Sequence, residues 1–168
     1  MKKYILNICL LGCLGLLISC NDLDGKYDEL VPDEYHKILS IKETGSQEVI
    51  MSVEEEVYEY QLTVIKGGLR KDLEANASLE VLTQNEVDVE YNDKQGTNYQ
   101  VLSKDMYMIV DESVSISGDE TGKTINVTFK PKKIYGAVKE GGDGVEYVLP
   151  VRLVSASDSV NADKNRVL

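Results

Sequence analysis

The sequence predicts an all-β fold: two packed sheets of about seven strands, interrupted by one short helix. Three observations carry this. Several segments alternate apolar and polar residues with a period of two, and Gly-containing turns separate them at short intervals. With no Trp and a single Phe, the apolar stock is mainly Val, Leu, Ile and Tyr, a set that suits strands. The balance of elements is about seven strand-like segments against one short helical one.

The chain opens on a segment that is not part of this fold. Lys2 and Lys3 precede an apolar run from Tyr4 to Ile18, and Leu17-Ile18-Ser19-Cys20 closes it. A short positive stretch, an apolar stretch and a small residue at the end make a secretory signal. Cys20, directly after Ser19, supplies a thiol for lipid attachment. The run is shorter than the roughly 20 apolar residues of a spanning helix. Cys13 is an alternative lipidation point, but cleavage there would leave too short an apolar stretch before it and an apolar stub behind it. We therefore expect a signal peptide over 1–19, lipidation at Cys20, and a lipid-tethered protein.

Residues 20–34 follow as an acidic spacer, sparse in apolar residues. The domain is expected over 35–168. Cleavage would leave 149 of the 168 residues, enough for one domain burying roughly 70% of its unfolded surface. Losing Lys2 and Lys3 would take the net charge from −11 to −13. Such a balance argues against nucleic acid as a partner, because the long-range field repels it. Cys9, Cys13 and Cys20 all lie at or before the lipidation point, so the domain itself has no thiol, disulfide or cysteine metal ligand.

Within the domain, His36 to Lys42 reads as the first strand, and Gly45-Ser46 as a turn. Glu48 to Val53 reads as a short second strand. From Val57 to Lys66 the chain alternates, with Tyr58, Tyr60, Leu62 and Val64 on one face. Gly67-Gly68 ends this run, and Ser78 to Leu82 is a further strand. Thr83-Gln84-Asn85-Glu86 is a capping box, so a helix starts there and Gly96 stops it. Asn98 to Met106 is expected to be extended. Ser113 to Ser117 and Lys123 to Lys130 alternate cleanly about the loop 118–122 and read as a hairpin. Ile125, Val127 and Phe129 face inward in this reading, and Pro131 ends the pairing. Val145 to Val154 is the most apolar run, with a bulge or strand switch at Pro150. The pattern is that of an immunoglobulin-like Greek-key sandwich.

The ordered set of features resembles a known family. A lipidation signal precedes Leu82-Thr83 opening a helix that carries Glu90-Tyr91-Asn92. Gly96 to Tyr107, Tyr147-Val148-Leu149-Pro150-Val151-Arg152-Leu153 and Asn161 to Asn165 follow in order. Together they resemble the Bacteroidetes lipoprotein domain of unknown function found at the N-terminus of many polysaccharide-utilisation proteins. The family usually has Pro where Ser103 stands here. The resemblance implies an immunoglobulin-like sandwich, often ahead of a carbohydrate-binding or glycoside-hydrolase domain, and it implies no catalytic residues.

Chemistry in the sequence is sparse. His36 is the only histidine, and without a domain cysteine it makes a poor base for nucleophilic catalysis. The acid runs Glu54-Glu55-Glu56, Asp111-Glu112 and Asp119-Glu120 fall in turns or strand ends, whereas a glycosidase needs two carboxylates facing across a cleft. Calcium is the metal that Gly118-Asp119-Glu120 or Gly141-Gly142-Asp143-Gly144 would suit, but neither loop has the ligand density, and turn formation accounts for both. No metal, cofactor or enzyme activity is expected. Asp158-Ser159-Val160 resembles an O-glycosylation signal of Bacteroidetes envelope proteins. For ligand contact the candidates are tyrosine faces: Tyr91, Tyr99, Tyr107 and Tyr135, with Tyr147 behind them.

Expected, then, is a non-enzymatic module lipid-anchored in the outer membrane and facing outward. It would act as a glycan-binding accessory or spacer in polysaccharide utilisation. Its partners would be the membrane through its lipid, polysaccharide, and outer-membrane glycan-uptake proteins. The alternative is a structural, adhesin-type subunit assembling by strand pairing.

Overall fold

The computed structural model describes residues 30–168. The signal peptide, Cys20 and most of the acidic spacer lie outside the described residues. Glu34–Leu168 form a single structural unit.

Eleven short strands are found among the described residues, and most belong to two sheets. The larger sheet has the order β10-β1-β2-β7-β5, from Ser159–Val160, Ile38–Ile41, Tyr58–Gly67, Gly122–Phe129 and Tyr107–Ile109. The smaller has the order β11-β9-β3-β6, from Arg166–Val167, Val151–Val154, Ala75–Val81 and Ser113–Ile116. Both sheets supply side chains to one core. Leu39, Leu62, Val64, Ile125 and Val127 come from the first; Leu79, Val114, Ile116, Val151 and Leu153 come from the second. This is the expected all-β, immunoglobulin-like sandwich.

The long alternating segments behave as their pattern dictates. β2 and β7 pair antiparallel from Tyr58↔Phe129 to Ile65↔Gly122. Ile125, Val127 and Phe129 are buried while Thr124 and Asn126 are exposed. Each buried aliphatic side chain contributes about 1.5–3 kcal/mol.

Other elements depart from expectation. Residues 48–53 form no strand. β6 and β7 are not a hairpin: β6 pairs with β3, whereas β7 lies in the other sheet. A period of two declares that one face is buried, and it does not name the partner strand. The loop between them is therefore a crossover. A Cβ at Gly118 would overlap the Asp72 carbonyl oxygen, so the close approach of this loop to the β2–β3 loop requires glycine.

Lys66 ties the same two loops. Its side chain continues the inward face of β2 and is 2% exposed. Its Nζ donates to the carbonyls of Leu73 at 2.9 Å and Gly118 at 3.3 Å, and also to that of Ser117. Burial of this ammonium is offset by these carbonyl bonds.

Pro150 marks a strand switch. Before it, β8 (Glu146–Val148) pairs parallel with β4 (Tyr99–Val101); after it, β9 joins the four-stranded sheet.

Two helices flank the β4–β8 pair. The expected one, α1, is an α-helix over Gln84–Val87, a π-helix over Asp88–Asn92 and an α-helix over Asp93–Gln95. Gly96 stops it in the left-handed region at φ 69°. The second, α2 (Pro131–Gly141), was not expected from the sequence. Pro131 ends the strand and also occupies the first helical turn, where its missing N–H costs nothing.

Candidate functional site

The site begins with the way α1 holds β4. Thr83 and Glu86 form the full capping box: the Thr83 side chain accepts from the Glu86 N–H at 3.3 Å, and the Glu86 carboxylate accepts from the Thr83 N–H at 2.8 Å. That backbone bond, the Thr83 hydroxyl and neighbouring Arg152 hold the Glu86 carboxyl below its ordinary pKa.

Two side-chain amides of α1 then imitate a neighbouring strand. Gln84 donates to the Tyr99 carbonyl at 2.9 Å and accepts from the Val101 N–H at 2.8 Å. Asn92 donates to the same Tyr99 carbonyl at 3.0 Å and accepts from the Tyr99 N–H at 2.8 Å. Asp88 Oδ1 accepts from both amides, at 2.8 and 2.7 Å, and fixes their orientation. The free edge of β4 is thereby closed by side chains. Ion pairs tie α1 onward: Glu86 with Arg152 at 3.1 Å, and Glu90 with Arg166.

On its other edge β4 pairs with β8, and α2 packs beyond. The Tyr147 hydroxyl donates to the Ala137 carbonyl of α2 at 3.1 Å. The segment after β1 completes the enclosure: the Gly45 N–H bonds the Arg166 carbonyl at 3.0 Å, and the Gln47 N–H bonds that of Leu168 at 2.9 Å.

Between these pieces lies a cleft of about 620 Å³. Leu62, Val127, Phe129 and Val151 contribute core side chains to it, Tyr60, Tyr99 and Tyr147 add aromatic faces, and Ile134 and Val138 come from α2. Gln47, Glu48 and Glu146 add polar groups. Its size and its apolar lining with few polar groups suit a small ligand or a short stretch of a longer one. Burial, with a smaller effect of Glu43, pushes the Tyr60 pKa up, so its hydroxyl stays protonated.

The sequence-predicted tyrosines take four different situations. Tyr99 lines the cleft. Tyr91 meets Tyr99 edge to face with ring centroids 6.4 Å apart. Tyr107 packs against the sandwich core beside Phe129, and burial followed by Glu112 raises its pKa. Tyr135 stands on α2, 43% exposed, with Lys139 Nζ 4.4 Å from its ring centroid. Tyr60, also in the cleft, enters the sequence reading only as a residue on one face of a strand. Its alternation with Leu62 and Val64 was the available signal.

The acid runs lie elsewhere. Asp119 and Glu120 are engaged with Ser117, whose hydroxyl bonds Asp119 at 2.8 Å and whose N–H bonds Glu120 at 3.0 Å. These contacts lower both pKa values and are those of a turn. Among the described residues no group of three or more His, Cys, Asp or Glu could hold a metal ion. His36 precedes β1, and its carbonyl accepts from the Arg70 N–H at 2.8 Å. The carboxylates that line the cleft are Glu48 and Glu146.

A family model described as an N-terminal domain matches residues 30–160. The chain belongs to that family, a Bacteroidetes domain of unknown function with an immunoglobulin-like sandwich. Three solved structures from Bacteroides ovatus share the fold. One, a protein provisionally described as carbohydrate-binding, is 24% identical with a TM-score of 0.61 and matches 77% of this chain and 35% of its own. A second, of unknown function, is 18% identical with a TM-score of 0.55, over 77% and 44% of the two chains. A third, also of unknown function, is 13% identical with a TM-score of 0.54, over 82% and 45%. At these identities the likeness is one of fold. The chain spans less than half the length of each. No curated protein matches it.

Proposed function

We propose that this domain is a non-enzymatic, lipid-tethered module at the cell surface, serving polysaccharide utilisation as an accessory glycan-binding domain or a spacer. The observation that carries the reading is the tyrosine-lined cleft of about 620 Å³, in a domain whose family is described by an N-terminal position. The carbohydrate-binding description of the Bacteroides ovatus relative supports the glycan half. The lipidation signal ending at Cys20 supports the tether. Affinity electrophoresis of the full chain in gels containing a panel of polysaccharides tests the binding half. Retardation in at least one gel is expected, and free migration in all would leave the spacer alone. Labelling of the protein by radioactive palmitate, abolished in Cys20→Ala, tests the tether.

Strand pairing between copies is a second reading, and β5 favours it. This edge strand and the residue after it carry Met108, 56% exposed, and Val110, 55% exposed. Exposed apolar residues on an open edge invite another strand. A monodisperse monomer in size-exclusion chromatography would count against this reading.

A further inference from the structure

We infer that the exposed face of α2 formed by Lys132, Tyr135 and Lys139 takes an acidic polysaccharide, one whose sugars carry carboxylate or sulfate groups. The inference rests on the glycan-binding reading above and names the class of glycan.

Positions 132, 135 and 139 are spaced three and four apart, so they stand one above another on the helix. All three are exposed. Lys133 is turned away to Asp105, with which it pairs at 2.6 Å. Among the described residues neither Lys132 nor Lys139 forms an ion pair, and Lys139 instead lies over the Tyr135 ring at 4.4 Å. From Lys130 to Lys139 the chain has four lysines and no acid, in a protein of net charge −11. The single acid of α2, Glu140, follows Lys139 and falls about 100° around the axis.

Gly136 lies beside this stripe. A glycine inside a helix weakens it, and this one is not demanded by packing: nothing lies within 4 Å of where its Cβ would be. Its effect is to leave bare backbone next to Tyr135, room for a ring to approach. On the other side of the stripe Val138, three residues after Tyr135, lines the cleft, so the stripe borders the apolar lining rather than standing apart from it.

The chemistry selects the ligand. An exposed tyrosine ring can hold the C–H face of a sugar, and two solvent-facing ammonium groups beside it attract a chain that carries anions. The overall negative charge repels an anionic chain at long range. Beyond about 8 Å at physiological salt that repulsion is largely screened, so the nearby lysines govern a chain in contact. Such a site favours a chain that carries anions over a neutral one through its two solvent-facing lysines, acting at contact distance.

Affinity electrophoresis of the full chain tests this, with polygalacturonate as the acidic probe, dextran as the neutral one, and phosphatidylglycerol vesicles in a flotation assay as a non-sugar anionic surface. Retardation by polygalacturonate is expected, weakening with added NaCl and falling roughly tenfold or more in the Lys132→Glu/Lys139→Glu double variant. Tyr135→Ala should also weaken it, and Lys132→Arg/Lys139→Arg should keep it. Circular dichroism of each variant monitors the fold, which surface changes here leave intact. Retardation by neutral glycan alone would overturn this inference and leave the glycan-binding reading standing. Free migration with every glycan would overturn both. Flotation with vesicles but no retention on polygalacturonate, or full retention by the Glu variant, would overturn the inference.

Discussion

The two helices sit on opposite edges of one small strand pair, and they spend their side chains differently. α1 has a complete capping box, two amides bonded to the backbone of β4 and ion pairs to β9 and β11. α2 has proline at its start, no side-chain cap, one exposed ion pair, and an exposed tyrosine beneath a lysine. Side chains that close hydrogen bonds inside the domain are committed to the fold. Side chains that face water without partners are available to something else. The difference separates the part of the molecule that builds the cleft from the part that offers a surface.

Substitutions should reproduce this division. Asn92→Ala removes two donated and two accepted hydrogen bonds at once, to Asp88, Tyr99 and Thr97. It leaves the Tyr99 N–H without its partner, and we expect a loss of about 2–3 kcal/mol in urea unfolding. Thr83→Ala should cost about 1 kcal/mol through the lost cap.

Acid should weaken the same helix. The Glu86 carboxyl is held below its ordinary value of 4.5 in the folded chain by Thr83 and Arg152. A depressed carboxyl stabilises the fold above its unfolded pKa, and that contribution fades as pH falls through the folded value. Amide exchange in α1 should therefore accelerate below about pH 4.5 more in the wild type than in Glu86→Gln, which has no carboxyl to titrate.

Changes on α2 should be smaller. Gly136→Ala has open space for its methyl group and should raise stability by about 0.5–1 kcal/mol. Lys132→Ala, Tyr135→Ala and Lys139→Ala should each stay within about 0.5 kcal/mol of the wild type in urea. A large loss at any of the three would place α2 with α1 and remove the contrast.

The same contrast explains what could be read from the sequence. α1 was legible because its start and stop are local: Thr83 to Glu86 and Gly96 each act within one turn. The buried alternation of β2 and β7 was legible for the same reason. α2 was missed because Pro131 reads as the end of a strand and Gly141 as part of a turn, while Gly136 weakens the helical pattern between them. Ile134, Tyr135 and Val138, at helical spacing after Pro131, were the available signal. Pro150 announced the break between β8 and β9, but the partner strands of β6, β8 and β9 depend on contacts distant in sequence, which periodicity does not encode. Lys66 was hidden by its charge, although it continues the inward face of Tyr58, Tyr60, Leu62 and Val64. Of the tyrosines, composition could name candidates but not separate the core residue Tyr107 from the exposed Tyr135, because both sit beside apolar neighbours in the chain.

The most direct test of the central claim is an amide nitrogen–proton NMR titration of the full chain with oligogalacturonate. The account predicts shifts concentrated on residues 132–139 and on the cleft residues around Tyr99 and Tyr147, with the amides of residues 84–91 little moved. Shifts centred on those α1 amides or on the outer face of the five-stranded sheet, with α2 unmoved, would contradict it.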